Sequence, residues 1–432
     1  MSSASRLIYR AGILARNRKV LENLDFLLKS QRWTIGELRA YQLERLKGLI
    51  ENAYRNAPYY RKKFDEAGVA PASIKTLEDI KRVPFLVKDD VLANVGGIQI
   101  RVDGEKMFYS ETSGSTGKPL VFYRNQDWDA WHRASIFRGY SWYGVSPWDR
   151  NGYLWGYNLA FKRRMKTRFL DFLQNRFRLF SYRDEEIDAF AKKLESADFL
   201  SGYSSMIYEI AKRINALPKK PRLNLKMVKG TSEKIYDSYQ EEARRAFGRK
   251  IISEYGAAEA GIIAFECPSG SMHVNMETAL VEEIDGEIAV TNLASRSFPI
   301  IRYRLGDYIK LDEAARCACG MQHPVIKEVL GRVGKVIYGL KSSYPSLTLY
   351  YVFKNLAMEH NVILNYQAVQ KTPGALELNI ESALSAAQRE LLAREILKYY
   401  GNDLKVDVKE SMSLKSANRK KADFISMVPE HK

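Results

Sequence analysis

The twelve residues YSETSGSTGKPL, Tyr109 to Leu120, decide how the rest of this 432-residue chain is read. Seven of them are Ser, Thr or Gly, and a Lys–Pro pair stands near the end. Such a stretch offers hydroxyls and unobstructed backbone N–H groups to an anion, with an ammonium in reach. It is not a Walker A loop. That loop needs a Gly five residues before the Gly of its Gly–Lys pair, and Ser or Thr after the Lys. Here Thr112 stands in the first position and Pro119 follows Lys118. The sequence has no G-x-G-x-x-G dinucleotide fingerprint either.

Composition sets the frame around that loop. With 46% apolar and 12% aromatic residues the chain can bury a large core. A formal charge of +17 and a pI near 9.5 favour an anionic partner such as a nucleotide, coenzyme A, an acidic carrier, nucleic acid or a membrane surface. Nucleic acid has only that charge behind it, since no recognition motif is present. Three cysteines are too few for a disulfide scaffold, and neither a spanning helix nor a secretory leader is read, so the cytoplasm is expected.

Residues 1–60 read as helical, with Leu43, Leu46, Ile50 and Tyr54 forming an apolar stripe. Pro58 interrupts that pattern and Gly68 is expected to end the next helix. FLSGYSSMIYEIAKRINAL, from Phe199, reads as a strand end, a loop and a helix. LKMVKG and IISEYGAAEAG read as buried strands breaking into Gly-containing loops, and Asp285–Gly286 as the turn of a hairpin. Alternating strands and helices predict an α/β class: a large, multi-subdomain N-terminal α/β domain over residues 1–332. Residues 333–432 are expected to form a small, mobile C-terminal α+β domain.

Four strings then arrive in order. SGSTGKP (Ser113–Pro119) resembles the phosphate loop of adenylate-forming enzymes, which activate a carboxylate with ATP. SEYGAAEAG (Ser253–Gly261) resembles their Y-G-x-x-E element, IIRYRLGDY (Ile300–Tyr308) their R-Y-R-x-G-D element, and LGRVGKVIYGL (Leu330–Leu340) their hinge. LKGLIENAYRNAPYYRKKFDEAG and KTLEDIKRVPFLVKDD are similar to the phenylacetate–coenzyme A ligase branch. The basic start and the loss of hinge acids resemble branch members of surface-polysaccharide biosynthesis, such as capsule or O-antigen.

The resemblance implies an acyl adenylate made with release of pyrophosphate, then acyl transfer to the thiol of coenzyme A or to an amine. Two anions must meet in the first step, so the work is charge neutralisation and placement. Ser113, Gly114, Ser115, Thr116, Gly117 and Lys118 would hold the β- and γ-phosphates. Glu259 would carry Mg²⁺, a hard ion suited to a carboxylate. Tyr255 would stack on adenine beside Glu254 and Gly256, with Gly230 and Ser232 lining the pocket. Asp307 would accept the ribose hydroxyls, and Arg304 and Arg332 would reach ribose or phosphate. Arg302 and Arg304, two apart, would share one strand face. Alignment on FIS makes Lys420 the lysine that neutralises the α-phosphate, with Lys415 and Lys421 as neighbours and Arg419 where Gly is usual. Gly334 and Lys335 replace two hinge acids. Tyr157, Asn158, Tyr203 and Ser204 are the candidates for the acid pocket, whose acid is a small molecule or sugar-linked.

Every cysteine lies in one arrangement, Cys267, His273, Cys317 and Cys319, a C-x₅-H…C-x-C set. Three thiolates and an imidazole suit a closed, structural Zn²⁺ site, with His323 as an alternative to His273. The few histidines offer no Ser–His pair, and nothing points to a hydrolase. FKRRMKTRFLDFLQNRFRLF (Phe161–Phe180) places Phe161, Met165, Phe169, Phe172, Leu173, Phe177 and Phe180 at helical spacing among Lys and Arg. Its apolar face is expected on the core; the alternative is peripheral contact with the inner face of an anionic membrane. The rival to an enzyme is a basic binding module that keeps this fold without catalysis, marked by loss of Glu259, Asp307 or the loop, all of which are retained.

Overall fold

Proline and glycine punctuate the N-terminal helices where their chemistry demands. The computed structural model describes residues 3–112, 120–154, 161–180, 184–232, 235, 237–330, 336–362, 364, 366–411 and 424–428. Helices α1 (Ser3–Asn17), α2 (Lys19–Ser30) and α3 (Ile35–Asn56) fill the start of the chain. A capping box opens α3: the Thr34 side chain accepts from Glu37 N, and Glu37 accepts from Thr34 N. Its buried side is Leu38, Gln42, Leu46, Leu49, Ile50 and Ala53, so Leu43 and Tyr54 flank the stripe rather than form it. Pro58 begins α4 (Pro58–Glu66), where a missing N–H costs nothing, and Gly68 turns the chain at φ +63°. Short helices α5 (Lys88–Ala93) and α6 (Val95–Ile98) follow.

The chain divides into two units, and eleven of the described strands of the first, residues 1–111, 121–155 and 160–332, form one sheet. A hairpin of β1 (Met107–Glu111) and β2 (Val121–Asn125) precedes α7 (Gln126–Trp142). Strands then alternate with helices: β3 (Asn151–Leu154), α8 (Phe161–Leu173), β4 (Arg176–Arg178), α9 (Asp184–Leu194), β5 (Phe199–Tyr203), α10 (Ser204–Ala216), β6 (Met227–Thr231), α11 (Asp237–Phe247) and β7 (Ile251–Ala257). All five of these strands pair in parallel. From β8 (Gly261–Glu266) onward pairing is antiparallel, through β9 (Met272–Val274), β10 (Ala279–Ile284), β11 (Glu287–Asn292), β12 (Tyr303–Asp312) and β13 (Val325–Leu330). The order across the 11-stranded sheet is β10-β11-β12-β13-β9-β8-β7-β6-β5-β3-β4. Asp285 and Gly286, at φ +52° and +78°, make the β10–β11 turn, the backbone that an Asp–Gly pair supplies.

Helix α7 lies deep, with Trp128, Ala130, Ala134 and even Arg138 buried. A buried guanidinium needs a partner. Arg138 donates to Glu277 Oε1 at 2.7 Å and to Asn275, and Ser30 donates to the same Glu277 oxygen at 2.5 Å. Burial opposes the Glu277 charge, but Arg138 overrides it and holds the carboxyl well below its usual range.

One expectation fails here. The apolar side of α8 is not in the core: Met165, Phe169, Leu170 and Phe172 are exposed, while Phe177 and Phe180, beyond the helix, are buried. Helical periodicity shows that two faces exist, not which of them meets protein.

The second unit comprises residues 112–120, 156–159 and 333–432. It holds β14 (Val336–Tyr338), β15 (Ser343–Pro345), α12 (Leu347–His360), β16 (Tyr366–Thr372), β17 (Ala375–Ile380), α13 (Ala386–Tyr400), β18 (Lys405–Lys409) and β19 (Phe424–Ser426). A four-stranded sheet runs β18-β17-β16-β19, with the parallel β17–β18 pair joined through α13. Asp403 ties the β14–β15 turn, accepting from Lys341 N, Ser342 N and the Tyr344 hydroxyl. The unit is α+β, and the whole chain is mixed α/β.

Candidate active site

Three parallel strands end side by side, and their carboxyl ends carry most of the described candidates. Tyr203 pairs with Thr231 across β5–β6, and Gly230 and Thr231 pair with Ser253 and Glu254 across β6–β7. Open α/β sheets bind ligands at such ends. Strand β5 passes straight into α10 at Tyr203–Ser204, with no loop between them, unlike the expected order. Ser204 is fully buried, and a Cβ at Gly230 would stand 2.6 Å from its Oγ, so only glycine fits there. Ser232 turns away at φ +67°. The Glu254 carboxylate accepts from Lys229 Nζ at 2.7 Å, both side chains being buried. Its assignment to nucleotide binding therefore rests on backbone, because the side chain is committed inward.

Next, β12 is bound once to β7 and once to the β7–β8 turn. The Tyr255 hydroxyl donates to Asp307 Oδ2 at 2.9 Å, and the Tyr303 hydroxyl donates to Glu259 Oε1 at 3.2 Å. Asp307 lies where β12 departs from the β11 register: Ala289 faces Arg304 and Glu287 faces Tyr308, leaving extra residues on β12. Such a bulge, with Gly306 at φ +81°, re-aims a side chain out of the ladder. Glu259 sits in the β7–β8 turn at 8% exposure, and Asn292 Nδ2 donates to its carbonyl at 3.3 Å. That turn is closed tightly, since a Cβ on Gly256 would lie 2.3 Å from the Gly261 carbonyl oxygen. Gly256→Ala is expected to cost about 2 kcal/mol and to lower the thermal midpoint by several degrees in calorimetry.

Arg302 and Arg304 both stack over Phe85, at 4.1 and 4.8 Å from the ring centre, but their roles differ. Arg302, at φ +49°, is buried and bonds Glu282 twice, plus the carbonyls of Lys81 and Val83. It is a structural pin. Arg304 is the more open of the two and pairs with Glu287 at 3.4 Å.

Away from these strands, the fold gathers Cys267, His273, Cys317 and Cys319, with every ligand atom within 4.8 Å of the others. Cys267 opens the β8–β9 turn, where Gly270 N donates to its carbonyl, and Gly320 N closes a matching turn on the Cys317 carbonyl. The Cys267 and Cys317 sulfurs are 3.6 Å apart, and Cys319 Sγ is 3.2 Å from His273 Nε2. A tetrahedron with bonds of about 2.3 Å has edges near 3.8 Å, so the donor set fits Zn²⁺. His273 Nδ1 faces the His323 carbonyl at 3.1 Å, an acceptor only, so that nitrogen carries the proton and Nε2 is the donor left for metal. The His323 ring points instead to Glu277, which removes it as the alternative ligand. Burial works against the Cys317 thiolate, but the Ser271 hydroxyl and the Cys319 N–H donate to it and bring its pKa down to about 6.

No family model matches the chain. The phenylacetate–coenzyme A ligase of Thermus thermophilus is 26% identical over 400 residues, covering 83% of each chain. That of Aromatoleum evansii is 45% identical over 97 residues, and the chain spans 22% of its length. Protein CapK of Staphylococcus aureus is 24% identical over 310 residues, 68% of each. Among solved structures, 2-hydroxyisobutyryl-CoA ligase in complex with its acyl-AMP and CoA superposes with a TM-score of 0.63 at 19% identity, over 93% of this chain and 92% of that one. The chain is similar in sequence to phenylacetate–coenzyme A ligases. Its fold is that of the adenylate-forming ligases.

Several of the expected site residues lie outside the described ones: Ser113, Gly114, Ser115, Thr116, Gly117, Lys118, Tyr157, Asn158, Arg332 and Lys420, with Gly334 and Lys335. Beside the loop, Thr112 N donates to the Leu120 carbonyl and Leu120 N to Thr112 Oγ1, each at 3.0 Å. Lys229, Tyr303 and Phe85 were not singled out from sequence. Tyr303 lies inside the R-Y-R string and Lys229 precedes Gly230, yet only the strand pairing shows what each one holds.

Proposed function

We propose that the chain is an ATP-dependent carboxylate ligase that forms an acyl adenylate and transfers the acyl group to the thiol of coenzyme A. The observation that carries this reading is the pair of ties from β12 to the end of β7 and its turn, Tyr255 to Asp307 and Tyr303 to Glu259, at the carboxyl end of the parallel strands. Tyr255 would offer its ring to adenine while its hydroxyl orients Asp307 for the ribose. Glu259, held by Tyr303, would carry Mg²⁺, which when bound neutralises phosphate charge. A carboxylate oxygen attacks the α-phosphorus, the bond to the β-phosphate breaks and pyrophosphate leaves. The thiol sulfur then attacks the acyl carbon, its proton passes to solvent and AMP departs. Ser113 to Lys118, Arg332 and Lys420 keep the phosphate roles that the family resemblance implies. The Cys₃His set would hold Zn²⁺ as a structural ion, and residues 333–432 would act as the lid. ATP and coenzyme A are consistent with the cytoplasm. A surface-polysaccharide setting is supported by the similarity to CapK.

An amine acceptor, free or sugar-linked, is the second reading, favoured by Gly334 and Lys335 in place of two hinge acids. The test is ATP-dependent pyrophosphate release against aryl, fatty, amino and uronic acids, with coenzyme A or an amine added to trap the acyl group. Acid-dependent release is expected, falling about a hundredfold in Lys420→Ala. Absence of ATP binding would sink the reading and leave the non-catalytic binding module.

A further inference from the structure

We infer that α1 and α8 together form a docking face for an anionic lipid bilayer, independently of the ligase reading. The two helices pack against each other within the first unit, and each keeps an apolar stripe out of the core. In α8, Met165, Phe169 and Phe172 recur at spacings of four and three, so they share one side, and they are 49%, 62% and 77% exposed. The other side is spoken for: Asp171 is buried and accepts two bonds from Arg178, at 2.9 and 3.0 Å. In α1, Leu7 and Leu14 share a side and are 67% and 53% exposed. Tyr9 and Ile13 turn the opposite way, onto Phe137 and its neighbours.

Charge says what covers this face. Arg10, Lys166 and Arg168 are exposed beside the stripes, α1 contains no acid, and the acid of α8 is the buried Asp171. Arg16 and Arg164 have carboxylate partners, whereas Arg10, Lys166 and Arg168 form no ion pair with the described residues. A second copy of the chain would bring the same cations together on a molecule of charge +17. A bilayer supplies hydrocarbon for the phenylalanines and anionic headgroups for the cations at one surface, and long basic side chains reach those headgroups from the rim. No described helix is long and apolar enough to cross a membrane, so the contact is peripheral.

The experiment is co-sedimentation of the full chain with phosphatidylcholine vesicles, alone or with roughly one-third phosphatidylglycerol, at low and high salt. Binding to the anionic vesicles is expected to be about tenfold tighter than to neutral ones and to weaken with salt. Phe169→Ser with Phe172→Ser, and separately Lys166→Glu with Arg168→Glu, should each weaken it about tenfold. Both pairs lie on the surface, so thermal midpoint and ATP-dependent pyrophosphate release should match the parent chain. No sedimentation with anionic vesicles at low salt would overturn the assignment, as would equal binding by the Phe169→Ser, Phe172→Ser variant. So would a parent dimer that this variant turns into a monomer in gel filtration, with no lipid bound by either.

Discussion

Glu259→Gln is expected to lower acid-dependent pyrophosphate release by roughly a hundredfold or more, with little change in thermal midpoint. The two halves of that expectation have separate causes. The Glu259 carboxylate is nearly buried, accepts from the Tyr303 hydroxyl and sits in a turn that Gly256 and Gly261 close tightly. A glutamine keeps the length and still accepts through its amide oxygen, so the turn survives. What disappears is the negative charge, the property a magnesium ion requires of its protein ligand. Tyr303→Phe keeps the charge and removes only the orienting bond, so a smaller loss, about tenfold, is expected. Release by Glu259→Gln within a few-fold of the parent would move the metal-binding role to another residue.

Cys319→Ser is expected to abolish stoichiometric zinc and to destabilise the chain by about 3–5 kcal/mol, the range reached when a metal site is lost. At roughly 1–2 °C per kcal/mol for a chain of this size, the thermal midpoint would fall by ~5 °C. The four ligand atoms come from the β8–β9 turn, from β9 and from the segment before β13, so the ion would join parts of the chain 50 residues apart. A strong chelator should bring the parent down to the midpoint of the variant and leave the variant unmoved. Pyrophosphate release, measured well below both midpoints, should persist, because no ligand of this cluster takes part in the Tyr255–Asp307 or Tyr303–Glu259 bond. A purified parent chain free of metal by elemental analysis, with an unshifted Cys319→Ser midpoint, would refute the site.

Local chemistry made much of the fold legible. Asp285–Gly286 reads as a hairpin turn because its backbone requires positive φ twice, and both residues have it. Pro58 and Gly68 mark helix ends for equally local reasons. The Cys–His set was legible because it uses all the cysteines, although choosing His273 over His323 needed the carbonyl that faces its Nδ1. Other features depend on neighbours distant in sequence. Lys229 and Glu254 meet only because β6 and β7 pair in one register, and Arg302 becomes a pin only when residues 81–85 and Glu282 converge on it. The outward face of α8 is invisible for the same reason: periodicity gives a helix two sides, and tertiary packing chooses between them.

Strand β13 has a consequence in time. It is the last strand of the first unit to be made, yet it lies inside the sheet, between β12 and β9. Until residue 330 leaves the ribosome, no ladder of backbone bonds joins the β10–β11–β12 meander to the rest of the sheet, and β9 and β12 both present open edges. At about 5–20 residues per second, several seconds separate the synthesis of Tyr255 from that of the strand that seals Asp307 beside it. The Tyr255–Asp307 pair is thus a late product of synthesis, secured by a strand that contributes neither residue.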